Sequence, residues 1–275
     1  MAVDDPIVVG VDGSAPSLNA ASWAADEAVL RAPARLRVVL APDDDLDDDR
    51  AARTVSGLAT VLAASRPDLE ISPEVRHGSP ADVLVELSHH ARLVVVGSRG
   101  RAPVAATLLG SVSAKVATHA RCPAVVVRGY PRTGPVVVGL DGSPSSRDAL
   151  EFAFEAAERH GTDLVAVHVW RDPEYAPVVP RLPYETADLR DAAHRSLAEQ
   201  LAGWDERHPR VTVHRRAPGG HPVAELAASA DGARLLVVGH RGHGGFAGLL
   251  LGSVARGAVL HAPSPVAVVR TGTSR

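Results

Sequence analysis

The chain has 275 residues, 45% of them apolar and 22% charged, enough for one large or two ordinary globular domains, each able to bury a core. A formal net charge of -3 argues against a general nucleic-acid binder, and 3% aromatic residues are too few for stacking on single strands. The lone cysteine, Cys122, excludes an internal disulfide and a multi-cysteine metal site. No apolar run approaches membrane length, and the short acidic start, Asp4-Asp5-Pro6, is unlike a secretory signal, so a cytoplasmic protein without membrane contact is expected.

Ile7–Val11 reads as a buried strand, and the Ala-rich stretch Ser17–Leu30 as a helix. Leu36–Leu40 is a second strand and Ala51–Ala64 a second helix. Leu69–Val75 alternates loosely and reads as a more exposed strand containing Pro73. Pro80 suits the first turn of a helix that runs to Ala91. Leu93–Val96 is a strongly apolar strand, Ser111–His119 a helix, and Ala124–Val127 the last strand of this set.

The same order then repeats, with strands near Val136–Leu140, Val165–Trp170, Val211–Arg215, Leu235–Val238 and Val266–Val269. Val8-Val9-Gly10-Val11-Asp12-Gly13-Ser14 recurs as Val137-Val138-Gly139-Leu140-Asp141-Gly142-Ser143. The offset between copies is 129 at the start and 142 at the end, so the second copy is longer by 13 residues, inserted around Asp172–Arg207. The turn-rich stretch Gly129–Pro135 separates a first domain, 1–130, from a second, 131–275. Alternating short strands and helices predict an α/β fold: two tandem open parallel five-stranded sheets with helices on both faces. Right-handed crossovers place Asp12 and Gly97 at the same carboxyl edge, where such sheets bind ligands.

Each copy carries a Gly-x-x-Gly-x9-Gly-Ser loop, Gly97, Gly100, Gly110 and Ser111 in one, and Gly239, Gly242, Gly252 and Ser253 in the other. Glycine lets backbone amides approach an anion and permits positive φ, and the following helix N-terminus favours phosphate. Ser111 and Ser253 are placed either to cap that helix or to donate to phosphate. Arg99 and Arg241 add charge or face solvent. The pattern is neither a P-loop, lacking Gly-Lys-Ser/Thr, nor a Rossmann fingerprint. The plain alternative is that these glycines only make strand-to-helix turns.

Both halves resemble universal stress protein domains of the UspA type, with the adenine nucleotide alpha hydrolase-like fold. The resemblance rests on the Gly-x-x-Gly-x9-Gly-Ser loops and on Val-Gly-x-Asp-Gly-Ser. Its ATP-binding branch implies that Asp12 and Asp141 lie by the nucleoside and that Leu40 and Val169 contact adenine. It implies that the loop glycines and Ser111 or Ser253 hold ribose and phosphates, with Val112 and Val254 following. ATP, with magnesium or manganese, is the implied ligand, and the sequence isolates no protein ligand for the metal. The resemblance also implies that the apolar last strands pair the halves as an internal pseudo-dimer, with a homodimer of the whole chain conceivable. A module of this fold that binds partners but no nucleotide is the alternative function.

Gly244-Gly245 keeps the family's glycine pattern where the first copy has Ala102-Pro103, so the second site is expected to bind more tightly. The acidic run Asp43–Asp49 reads as a solvated loop opening the next helix. The inserted segment Pro173–Tyr184 reads as a long loop, with a lid or contact surface as the alternative. No catalytic set stands out: Gly-x-Ser-x-Gly and His-Glu-x-x-His are absent, and His240 and His243 are not shared by the first copy. Cys122, with Ser264 as its counterpart, reads as a buried inert thiol. Slow ATP hydrolysis is the most activity expected.

Overall fold

The computed structural model describes residues 5–31, 33–42, 47–100, 109–129, 133–170, 183–243 and 250–272. Ala102, Pro103, Gly244, Gly245, residues 43–46 and the insertion up to residue 182 lie outside these. The chain divides into two compact units, Met1–Pro131 and Arg132–Ser274.

The first unit runs β1 (Ile7–Val11), α1 (Ala15–Val29), β2 (Arg35–Leu40), α2 (Asp48–Ser65), β3 (Glu70–Val75), α3 (Pro80–Leu87), β4 (Leu93–Gly97), α4 (Ser111–His119) and β5 (Ala124–Val127). Its strands pair in parallel in the order β3-β2-β1-β4-β5. β4 and β5 are buried along their whole length, as expected of parallel strands covered on both faces. β3 is the half-exposed edge. Glu70 and Arg76 donate their N–H groups to the carbonyls of Ala34 and Leu40 on the β2 side, so the nitrogen of Pro73 faces the outer edge, where a missing donor costs no ladder bond. Arg37 pairs with Glu74 there at 2.6 Å, a bond that holds the carboxyl below the usual carboxylate range.

The second unit runs β6 (Val136–Gly139), α5 (Pro144–His160), β7 (Leu164–Val167), α6 (Pro183–Gln200), α7 (Trp204–Arg207), β8 (Val213–Arg216), α8 (Pro222–Ser229), β9 (Leu235–Gly239), α9 (Ser253–His261) and β10 (Val266–Val269). The strands pair in parallel in the order β8-β7-β6-β9-β10. Where the first unit has the single helix α2, the longer second unit has α6 and α7, separated at Gly203, whose φ is 76°. Trp204 stacks on Phe154 of α5 at 5.1 Å, His208 stacks on the same ring at 5.0 Å, and Arg207 lies over Trp204. This ring cluster seats the inserted chain on α5.

Several elements differ in extent from the sequence-based expectation. α3 stops at Leu87 and continues only as a 3-10 turn, Ser88–His90. β7 ends at Val167, and Trp170 makes an isolated bridge to Gly219. α2 begins at Asp48, with the Asp47 side chain accepting from the Asp49 N–H, so the described end of the acidic run caps a helix. Among the described residues no helix is long and apolar enough to cross a membrane.

In both units the chain leaves the first strand toward one side of the sheet and returns on the other. β1 lies between β2 and β4, and β6 between β7 and β9. These are the topological switch points, and the crevice at their carboxyl ends is where a ligand fits.

The chain enters each crevice through a close contact. A Cβ on Gly97 would sit 2.7 Å from the Pro16 carbonyl oxygen, and one on Gly239 would sit 2.7 Å from the Ser145 carbonyl carbon. The strand end thus lies directly on the first turn of α1 or α5. Gly97→Ala and Gly239→Ala should each destabilise the protein by about 1–3 kcal/mol through overpacking. Gly57, exposed within α2 with open space at its Cβ position, gives the opposite expectation. Gly57→Ala should stabilise by about 0.5–1 kcal/mol, because glycine costs helix entropy. Urea unfolding of the three variants checks both signs.

Candidate nucleotide site

At the first switch point a cavity of about 320 Å³ opens, lined among others by Asp12, Leu40, Gly97, Gly100, Gly110, Ser111 and Val112. All seven residues that the resemblance singles out in the first copy therefore face one space. Ala41, Pro80, Val83 and Leu84 supply an apolar side. A mostly apolar concavity with a few convergent polar groups is the usual form of a small-molecule site.

The turn after β1 holds Asp12 in place. Asp12 accepts from the Ser14 N–H at 2.9 Å, and its own N–H donates to the Ser17 hydroxyl at 3.3 Å. Gly13 takes φ 81°, a region closed to most side chains. Ser14 then caps α1 by accepting from the Ser17 N–H at 3.4 Å. The second unit repeats this around Asp141, Gly142 with φ 82°, and Ser143. There the Asp141 carboxylate also accepts from the His243 N–H at 3.2 Å, which ties the loop to the first strand. Burial opposes ionisation of Asp141, but the hydrogen bonds from Ser143 and His243 outweigh it and lower its pKa.

The six motif glycines serve a purpose other than positive φ. None of Gly97, Gly100, Gly110, Gly239, Gly242 and Gly252 has positive φ. All but Gly110 instead leave room for a close neighbour. A Cβ on Gly100 would lie 2.8 Å from the Asp12 carboxylate, and one on Gly242 would clash with Asp141. A Cβ on Gly252 would lie 3.2 Å from the His240 carbonyl. These glycines bring the loop against the aspartate and against itself.

Ser111 and Ser253 are not the caps. Gly110 and Gly252 occupy the N-cap positions of α4 and α9, with extended backbone (φ -63° and -66°) and no side chain to accept from the first turn. Both serines are exposed in that first turn. The amides that a serine cap would have satisfied are left to face the crevice, which suits an anion. A residue the sequence reading missed fixes this helix: the Ser113 hydroxyl donates to the Gly97 carbonyl at 2.7 Å. Its counterpart, Ala255, cannot, and in the second unit the Ser145 hydroxyl instead holds the loop by donating to the Arg241 carbonyl at 2.7 Å.

Leu40 and Val169 are not structural equivalents. Val11 pairs with Leu40, whereas Gly139 pairs with Val167, so Leu140 stands opposite His168. Leu40 therefore corresponds to His168, and Ala41 to Val169. The slip arises because the span from the first strand to the second is one residue shorter in the second unit, where Gly161 ends α5 in a left-handed turn while Leu30 ends α1 in a right-handed one. The His168 Nδ1 lies 2.9 Å from the Leu140 carbonyl oxygen. A carbonyl only accepts, so Nδ1 carries the proton and Nε2 is an acceptor in the neutral ring.

Residues 5–128 and residues 133–270 each match the Universal stress protein family. The chain belongs to that family. It is 39% identical over 286 residues to a universal stress protein of Mycolicibacterium smegmatis, covering 96% of each chain. It is 38% identical over 289 residues to one from Mycobacterium tuberculosis, again with 96% of each covered. Membership carries the family's general stress-response role. A universal stress protein from Archaeoglobus fulgidus shares the fold with a TM-score of 0.66 at 22% identity, over 97% of this chain and 98% of that one. A functionally unknown protein from Pseudomonas aeruginosa does so with a TM-score of 0.68 at 14% identity, over 98% and 94%.

Cys122 is buried, and burial pushes its thiol up to about 12, so it is a poor nucleophile at neutral pH. The described residues bring together no three His, Cys, Asp or Glu side chains able to hold a metal.

His240 stands in the place of Ser98. Burial, then the charges of Arg270 and Arg241, push its imidazole down to about 4 from an ordinary 6.5. The unfolded chain takes up this proton at higher pH than the folded one. The stability that His240 contributes is present above about 6.5 and is lost as pH falls toward about 4. His240→Ser should reduce the loss of thermal stability between about pH 7 and about pH 5 relative to the parent. Melting curves at the two pH values, with equal slopes for both proteins as the contrary result, check this.

Proposed function

We propose that each unit binds an adenine nucleotide, with ATP as the principal ligand, and that the protein is a nucleotide-responsive stress regulator rather than a dedicated enzyme. The supporting observation is the cavity at the first switch point, in which Asp12, Leu40, Gly97, Gly100, Gly110, Ser111 and Val112 converge on one space. The apolar side near Leu40 and Ala41 suits a base. Asp12 suits ribose or base donors, and the uncapped start of α4 suits phosphate. Magnesium or manganese accompanying ATP would be held chiefly by phosphate oxygens, since the described residues offer no three-ligand cluster. In the second unit Asp141, Gly239, Gly242, Gly252, Ser253 and Val254 take the corresponding roles, with Val169 beside the base. Gly244-Gly245, against Ala102-Pro103, supports tighter binding there.

Denaturing the purified protein should release adenine nucleotide, and titration calorimetry with ATP and magnesium should show two sites of unequal affinity. Gly110→Asp and Gly252→Asp each put a carboxylate where phosphate would lie and should weaken their own site about tenfold or more. Gly252→Asp should remove the tighter of the two. Absence of both released nucleotide and titratable ATP binding would refute the reading and leave a partner-binding module of the same fold.

A further inference from the structure

The phosphate side of each site has a second shared feature. Gly97 of β4 stands opposite Val127 of β5, and the Ser98 N–H donates to the Val127 carbonyl at 3.0 Å. Arg128 is therefore delivered beside Ser98, next to Arg99. β9 and β10 repeat the arrangement: Gly239 stands opposite Val269, the His240 N–H donates to the Val269 carbonyl at 2.8 Å, and Arg270 lies next to Arg241. Each unit thus brings two half-buried arginines to the carboxyl ends of its last two strands.

In each unit the two arginines stand within electrostatic reach of one another or of a common neighbour. Burial and then the Arg99 charge lower the pKa of Arg128, and Arg270 and Arg241 both act on His240. Gathering like charges in partial burial is unfavourable, and a polyanion would reverse the sign of that interaction. Arg99 lines the cavity, and a Cβ on Gly110 would lie 3.4 Å from its Cα, so Arg99 abuts the start of α4. Among the described residues, the Nε of Arg99 and the Nε of Arg241 are buried without a hydrogen-bond partner. A buried donor in that state is costly until an acceptor arrives. Asp12, the cavity's carboxylate, is engaged with the Ser14 N–H and faces Gly100.

We propose that Arg99 with Arg128, and Arg241 with Arg270, read the outer phosphates of the bound nucleotide, so that each unit selects nucleoside triphosphates over monophosphates and nucleosides. This rests on the nucleotide reading above. The α4 or α9 N-terminus takes the inner phosphate, and the planar guanidinium forks take the charge beyond it.

The test is calorimetry with ATP, AMP, adenosine and inorganic tripolyphosphate on the full chain. The variants are Arg99→Gln/Arg128→Gln, Arg241→Gln/Arg270→Gln and the matching lysine pairs. Each glutamine pair should weaken ATP at its own site about tenfold or more, the loss of charge-assisted hydrogen bonds. AMP should stay within about twofold, which also reports an intact site. The lysine pairs keep the charge but lose the fork and should fall between. Tripolyphosphate should bind the parent and be lost from the chain carrying both glutamine pairs. Equal losses for ATP and AMP, or unchanged ATP binding in all variants, would overturn the arginine assignment while leaving nucleotide binding in place. Tripolyphosphate binding by a parent chain that takes no adenosine compound would instead retain the arginine position and refute the nucleotide reading.

Discussion

The site in each unit depends on one backbone contact: the glycine that ends the strand before the loop rests on the first turn of the helix after the first strand. Gly97 meets Pro16, and Gly239 meets Ser145, at distances that a Cβ would close. With strand and helix locked together, the aspartate turn and the glycine loop face each other across the switch point. A side chain at that glycine would push the loop away from Asp12 or Asp141. The same requirement for contact explains Gly100 and Gly242, which lie against those carboxylates. A loop set this close goes with starts of α4 and α9 that have no side-chain cap, so their first amides stay unpaired by the helix.

The two units share this frame but differ in what surrounds it. Ser113 anchors α4 to the end of β4, while the second unit, with Ala255 there, holds its loop through Ser145 and Asp141. Leu40 gives the first crevice an apolar wall, and His168 gives the second a ring with one nitrogen engaged. Ser98 becomes His240, a base kept neutral by burial and its arginine neighbours. Duplication preserved the backbone contacts, because any change there displaces the strand, and left side chains around the ligand space free to diverge.

Much of this was legible in the amino-acid sequence. Runs such as Leu93–Val96 and Ala124–Val127 are too apolar for anything but buried strands, and their alternation with Ala-rich stretches fixes a parallel α/β order. The repeat showed where one unit ends, and the glycine spacing with Asp12 and Asp141 showed which loops to watch. The family resemblance added the list of contact residues. Leu40 and Val169 stand at the same place along each copy but not across the sheet, because the span from the first strand to the second is one residue shorter in the second unit. Strand pairing alone reveals it, since register is set across the sheet and not along the chain.

By itself, then, the sequence determined the fold class, the duplication and the identity of the loops, because hydrophobic periodicity and glycine spacing are local properties of the chain. Only the tertiary structure decided what those glycines do, that Gly110 and Gly252 rather than the serines sit at the helix caps, and that Arg128 and Arg270 stand beside Arg99 and Arg241. Each of these depends on which backbone lies against which. Residues such as Arg99 and Arg128 come together only through pairing of parallel strands, and no spacing along the chain encodes that approach.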